Sequence, residues 1–130
     1  MPGIFTFHKK EHLCLEKQIE NLFSNGRWLR SEHLRLVYLI HPVKHEVPVQ
    51  VMFSVSKKNF RRAVKRNLLK RRLREAYRLR KQSFIQGLPE GDLLLHLGFV
   101  YSSDELADFA TVQSELSYLL MQLANRLKKN

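Results

Sequence analysis

Between Ser54 and Lys81 the chain reads SVSKKNFRRAVKRNLLKRRLREAYRLRK, which holds 13 of its 23 Lys and Arg and a single acid, Glu75. Like charges in a block repel one another, and such runs usually stay solvated or unfolded. This one nevertheless carries an apolar stripe. At about 100° per residue, Leu69, Leu73, Ala76 and Tyr77 fall within one arc of roughly 100°, the width of a core-facing stripe. Asn67, Lys70, Arg71, Arg74 and Arg78 occupy a second arc that points away from the first. The pattern predicts a helix from Arg61 to Phe84, docked by its stripe and offering a cationic face, with Gly87-Leu88-Pro89 ending it. A helix that serves only solubility mixes its signs, because Glu and Lys at i,i+4 stabilise it and like charges there destabilise it. Self-repulsion tolerated on this scale implies a polyanionic partner.

Periodicity supplies the other elements. Leu15, Ile19, Leu22 and Phe23 recur at helical spacing and predict a first helix from His12 to Asn25, stopped by Asn25-Gly26. Arg27 to Arg30 reads as a short edge strand, and Leu34 to Ile40, with its β-branched and aromatic residues, as a second strand. His41-Pro42 to Pro48 is a turn. Val49, Val51, Phe53 and Val55 then alternate with Gln50, Met52, Ser54 and Ser56, the cleanest period-two signal in the chain, with one face for the core and one polar. Asp92 to Tyr101 contains Leu93, Leu94, Leu95, Leu97, Phe99 and Val100, a run suited to a central strand covered on both sides. Leu116, Leu119, Leu120, Leu123 and Leu127 mark a last helix, for which Thr111 is the expected cap. Helix, three strands, helix, strand, helix predicts an α+β fold, an α/β sandwich on a four-stranded sheet, in a single domain over residues 1–130.

The formal net charge of +11 agrees with a polyanionic partner. No run approaches the roughly 18 apolar residues of a membrane-spanning helix, and the N-terminus lacks a signal peptide's long apolar core. A cytoplasmic protein without a membrane partner is expected. The lone Cys14 leaves no internal disulfide or Cys-rich zinc site, and it is expected to be buried as a small hydrophobe. His8 and His12 share i,i+4 spacing but lack further ligands, so no metal site is expected, and His41, His45 and His96 read as surface or RNA-facing groups. The carboxylates are scattered, and neither a Gly-rich phosphate loop nor a nucleophile motif is present. The chain offers no catalytic constellation of its own and nothing that points to a small-molecule substrate. What the residues support is polyanion binding through Lys57, Lys58, Arg61, Arg62, Lys65, Arg66, Lys70, Arg71, Arg74 and Arg78, with Asn67 able to hydrogen-bond a sugar or base edge. A structured RNA, as on a ribosome-associated protein, a DNA major groove and an anionic lipid surface all remain open as partners, although a stripe committed to a core counts against lipid.

Three stretches narrow this choice. Val55-Ser56-Lys57-Lys58, then Ala63-Val64-Lys65-Arg66-Asn67-Leu68-Leu69-Lys70-Arg71, then Leu73-Arg74-Glu75-Ala76-Tyr77-Arg78 resemble the signature of the bacterial ribonuclease P protein component, which reads V-S-K-K, A-V-x-R-N-R-x-K-R and L-R-E-A-[FY]-R. Leu22-Phe23-Ser24-Asn25-Gly26 is similar to that family's V-F-x-x-G, and Leu34 to Tyr38 to its L-x-L-x-Y strand. Two departures stand out. Leu68 replaces the third residue of R-N-R, and Lys58-Asn59-Phe60-Arg61-Arg62-Ala63-Val64 is one residue longer than the family's K-x-G-x-A-V and lacks its glycine.

The resemblance implies a four-stranded mixed sheet with a left-handed crossover between the strands flanking the basic helix, against the usual hand. It also implies an accessory role in an endoribonuclease whose catalyst is a magnesium-dependent RNA subunit, with Mg2+ bound mainly by that RNA. The partners would be the ribonuclease P RNA and precursor tRNA, whose 5′ leader is removed. RNA contacts would fall on Arg66, Asn67, Lys70 and Arg71, with Arg74 one turn on. The leader would occupy a cleft at Ile19, Phe23, Tyr38 or Val37, and the polar face of the third strand, Gln50, Met52 and Ser54.

Overall fold

The computed structural model describes residues 9–128. A 3-10 turn at Lys9–Glu11 precedes helix α1 (Glu16–Asn25) and strands β1 (Arg27–Arg30), β2 (Leu34–His41) and β3 (Val49–Val55). Helix α2 (Ala63–Gln86), strand β4 (Leu94–Tyr101) and helix α3 (Phe109–Lys128) follow. This is the order that periodicity predicts, in a mixed α+β fold. The four strands lie in the order β1-β2-β4-β3, so the apolar run becomes an interior strand, antiparallel to β2 and parallel to β3.

Alternation along the strands gives the sheet two distinct faces. One face carries Leu34, Leu36, Tyr38, Val49, Val51, Val55, Leu95, Leu97, Phe99 and Tyr101, and packs against α2 and α3 as the main core. The predicted stripe of α2 is buried there: Leu69, Leu73, Ala76 and Tyr77 have no accessible surface, and the α3 leucines join them. Burying a large apolar side chain is worth about 1.5–3 kcal/mol, whereas each like-charge i,i+4 pair costs about 0.2–0.5 kcal/mol. The docked stripe therefore outweighs the self-repulsion of the basic face.

The opposite face is smaller. Leu13, Leu22 and Val37 are buried there, with Ile19, Phe23, Leu39 and Met52 packed around them. Gly98, on β4 beneath α1, lets the helix approach: a Cβ at that position would stand 2.9 Å from Val37 Cγ1 and 3.3 Å from Leu22 Cδ2.

Three local expectations need correction. Helix α1 starts at Glu16 rather than His12, because the chain first pairs with the sheet edge: His12 bridges to Val51, and the Leu13 N–H donates to the Val51 carbonyl at 2.9 Å. Cys14 is exposed, because its neighbour Leu13 takes the buried place beneath α1 and adjacent side chains of an extended segment point to opposite sides. The last helix is capped by Asp108, not Thr111. The Asp108 carboxylate accepts the Thr111 N–H at 2.8 Å, which holds that carboxyl below its ordinary range. His8 lies outside the described residues.

Candidate nucleic-acid interface

The cations predicted on and before α2 form one surface. Lys57 and Lys58 follow β3, Arg61 and Arg62 precede the helix, and Lys65, Asn67, Arg71 and Arg74 stand exposed along it, while Arg66, Lys70 and Arg78 are half-buried. Two of these also have structural work. The Arg66 guanidinium donates to the carbonyls of Phe60 at 2.8 Å and Arg61 at 2.6 Å. Phe60 is buried with its ring 5.8 Å from that of Tyr101. A buried phenyl plug and an arginine gathering two carbonyls thus organise the turn that lacks the glycine, leaving Arg61 and Arg62 outward. Arg78 is paired with Glu75 at 2.6 Å, and the guanidinium holds that carboxyl below its usual range. The one acid of the helix is therefore neutralised within the helix.

Two further cations of α2 leave the surface, while Arg80 stays exposed. Arg72 donates to the Ala107 carbonyl, tying α2 to the segment before α3. Lys81 is buried and makes a forked ion pair with Glu11 at 2.8 and 2.9 Å, tying α2 to the 3-10 turn. Leu68, the residue in place of an arginine, is half-buried and lines a depression with Arg71, Arg72, Glu75 and Phe109.

On the α1 face, Ile19, Phe23, Gln50, Met52 and Ser54 are all half-buried. The β-sheet register joins the last three to one surface, opposite His96, Gly98 and Val100. Tyr38 does not belong to it. A one-residue difference in strand register turns a side chain to the other face, and Tyr38 points into the main core with its hydroxyl 3.4 Å from Arg126. Val37, opposite Gly98, takes the place beside α1.

Sequence reasoning missed three residues here. Trp28 is 42% exposed with its ring 5.6 Å from that of Phe23, and Arg30 and Arg35 are cross-strand partners beside it. An open depression of about 430 Å³ is lined by Trp28, Leu29, Arg30 and Arg35. The signal was the alternation of Arg27-Trp28-Leu29-Arg30, which puts Trp28 and Arg30 on one side.

His96 also departs from expectation. It is buried rather than RNA-facing, and burial, aided by His41 and His45, pushes it down to about 4. The basic helix and the α1 face adjoin along β3. His12, bridged to that strand, has its pKa lowered by burial and by the charge of Arg74.

The family described as Ribonuclease P matches residues 7–124. The chain belongs to the ribonuclease P protein component family. It is 37% identical over 126 residues to the ribonuclease P protein component of Porphyromonas gingivalis, covering 97% of this chain and 92% of that protein. With the Chlorobium phaeobacteroides component it shares 36% identity over 132 residues, covering 92% and 90%. Among solved structures, the ribonuclease P protein of Thermotoga maritima superposes with a TM-score of 0.65 at 25% identity, over 86% of this chain and 96% of that one. The Staphylococcus aureus protein gives 0.66 at 17% identity, over 90% and 97%, a likeness of fold alone. The ribonuclease P match begins before α1 and reaches into α3, so membership rests on the whole architecture and not on the basic helix alone. Among the described residues, no helix is long and apolar enough to cross a membrane.

Proposed function

We propose that this chain is the cytoplasmic protein subunit of ribonuclease P, binding the catalytic RNA and the 5′ leader of precursor tRNA. The observation that carries the reading is the acid-free stretch from Lys57 to Arg74, in which Lys57, Lys58, Arg61, Arg62, Lys65, Arg71 and Arg74 stand exposed on and before a helix docked in the core by Leu69, Leu73, Ala76 and Tyr77. Lys57, Lys58, Arg61, Arg62, Lys65, Lys70, Arg71 and Arg74 meet phosphates of the RNA subunit, and Asn67 reaches a sugar or base edge. Arg66 shapes the turn that presents them.

The leader lies across the α1 face. Ile19, Phe23 and Met52, backed by the buried Val37, give it an apolar floor, Gln50 and Ser54 polar contacts, and Trp28 with Phe23 an aromatic surface on which any base can stack. The two adjoining surfaces hold substrate and ribozyme together, so the protein acts by positioning. On this reading it cuts no RNA alone: the face turned to RNA offers phosphate-binding cations, and the one carboxylate of its helix, Glu75, is paired with Arg78.

Ribonuclease P depends on Mg2+, a hard ion that takes oxygen ligands. The basic face does not fit such an ion. It is made of ammonium and guanidinium groups, and its one carboxylate, Glu75, is already paired with Arg78. The RNA supplies the ligands, and the protein's cations lower the repulsion between RNA segments that the ions otherwise have to screen.

Competition binding tests this reading. Affinity for a ribonuclease P RNA should exceed that for duplex DNA and fall with salt at a log–log slope of about −5 if six phosphates are neutralised. A weak salt dependence, or equal preference for duplex DNA, would remove the assignment of α2 as an RNA-docking helix.

A further inference from the structure

The α1 face carries a second arrangement, one that RNA contact does not require. His96 on β4 and His41 at the end of β2 bring His41 Nε2 and His96 Nδ1 to 3.1 Å, with ring centroids 4.4 Å apart. Behind His96, its Nε2 lies 3.0 Å from Gln50 Oε1, and Gln50 Nε2 donates to the Lys10 carbonyl at 3.1 Å. This chain of contacts sets the protons. The Gln50 amide nitrogen is used on the carbonyl, so its oxygen faces His96 and accepts. His96 Nε2 therefore carries the proton, and its Nδ1 turns a lone pair toward His41. An imidazole held from behind through one nitrogen, with the other aimed at a second imidazole, is how proteins orient metal-ligating histidines. His96, 2% exposed on an interior strand, is the fixed arm, and the half-buried His41 at a strand end is the adjustable one.

We propose that His41 and His96 form a binding site for one divalent transition ion of the zinc, nickel or copper class. The spacing fits. With metal–nitrogen bonds of about 2.0–2.1 Å, two ligating nitrogens stand about 2.9 Å apart at a right angle and about 3.4 Å apart at a tetrahedral one; the observed separation lies between. Binding moves the His41 proton from Nε2 to Nδ1 and turns that ring so that both lone pairs converge on the ion. Water completes the shell. Nitrogen donors select against Mg2+, so this ion is separate from those of the ribozyme.

One other group competes for the assignment. Atoms of Glu32, His33 and Glu115 lie within 4.8 Å of one another. There, however, His33 Nδ1 already lies 2.5 Å from Glu115 Oε2, and Glu115 Oε1 accepts the His33 N–H at 2.7 Å and the Ser31 hydroxyl. An ion would have to displace an ion pair whose hydrogen bonds are made.

Calorimetric titration of the full chain with ZnCl2 at neutral pH tests the proposal. One ion per chain is expected, with His41→Gln weakening binding by at least about tenfold while circular dichroism and melting stay unchanged. Glu32→Gln, at an exposed position of the competing group, should leave binding intact. On addition of zinc, the 15N resonance of His96 Nδ1 should move. Absence of binding, wild-type affinity in His41→Gln, or loss in Glu32→Gln would each overturn the site.

Discussion

Replacing Gly98 by alanine probes how closely α1 sits on the sheet, on which the proposed leader surface depends. The added Cβ would stand 2.9 Å from Val37 Cγ1, 3.1 Å from Met52 Sδ and 3.3 Å from Leu22 Cδ2. Carbon–carbon contacts are most favourable at about 3.5–4.0 Å, so all three neighbours are crowded. The Met52 thioether can swing aside. Val37 cannot do so readily, because a β-branched side chain is stiff at χ1 and this one is fully buried. Relief then falls on Leu22, and α1 lifts. Overpacking of this kind costs about 1–3 kcal/mol, and restriction of the unfolded chain by Gly→Ala returns about 0.4–1 kcal/mol. A net loss of about 1–2 kcal/mol follows, or a melting temperature lower by about 4–8 °C. Urea unfolding by circular dichroism measures the loss, and emission from Trp28, the chain's one tryptophan, reports the lift through its contact with Phe23. Leader affinity should fall while affinity for the RNA subunit alone holds, since α2 packs on the other face. A variant of unchanged stability with unaltered Trp28 emission would refute the close packing of α1 on Gly98.

Three further outcomes are expected. Lys81→Met should cost about 3 kcal/mol by removing the cation that pairs with the buried Glu11 carboxylate, and Glu11→Leu in the same chain should restore most of it; equal losses in single and double variants, read by urea unfolding, would deny the coupling. The Glu115 hydrogen bond raises the pKa of His33, while Glu115 lies lower because hydrogen bonds from Ser31 and His33 overcome its burial. The histidine's contribution is thus complete below its unfolded value near 6.5 and lost as pH rises through its folded value, and the carboxylate's is present above about 4.5 and lost on acidification. His33→Gln should flatten the alkaline side of the stability–pH profile, and a profile of unchanged shape would contradict the pair. Lys70→Ala and Arg74→Ala should each reduce the salt slope of RNA binding by about 0.7–0.9, whereas Arg72→Ala should lower stability and leave the slope alone, its guanidinium being spent on Ala107.

Much of this architecture was legible in the sequence, because the relevant signals are local. The stripe Leu69, Leu73, Ala76, Tyr77 and the alternation from Val49 to Val55 state directly which side chains are buried, and both are buried as read, Phe53 excepted at half-burial. The basic arc was legible for the same reason. Errors arose where tertiary pairing decides. Nothing in His12-Leu13-Cys14 announces that this segment lies along β3 before α1 begins, so the helix was read too long and Cys14 too deep. Tyr38 and Val37 are neighbours in an apolar strand, and only the register with β4 tells which one faces α1. His96 looked like a surface histidine because its partners, His41 and Gln50, come from strands remote in sequence. Arg66 reads as a member of the cationic face and Lys81 as the end of the basic segment, yet one shapes a turn and the other sits in an ion pair with a residue 70 positions away.

The central claim is that this chain assists a catalytic RNA and is inert without it. Cleavage of a precursor tRNA at low Mg2+ by a bacterial ribonuclease P RNA, with and without the protein, tests it most directly. The account predicts that the protein restores cutting at the mature 5′ end and that the protein alone leaves the substrate whole. Tight RNA binding without stimulation, across several ribonuclease P RNAs, would contradict it.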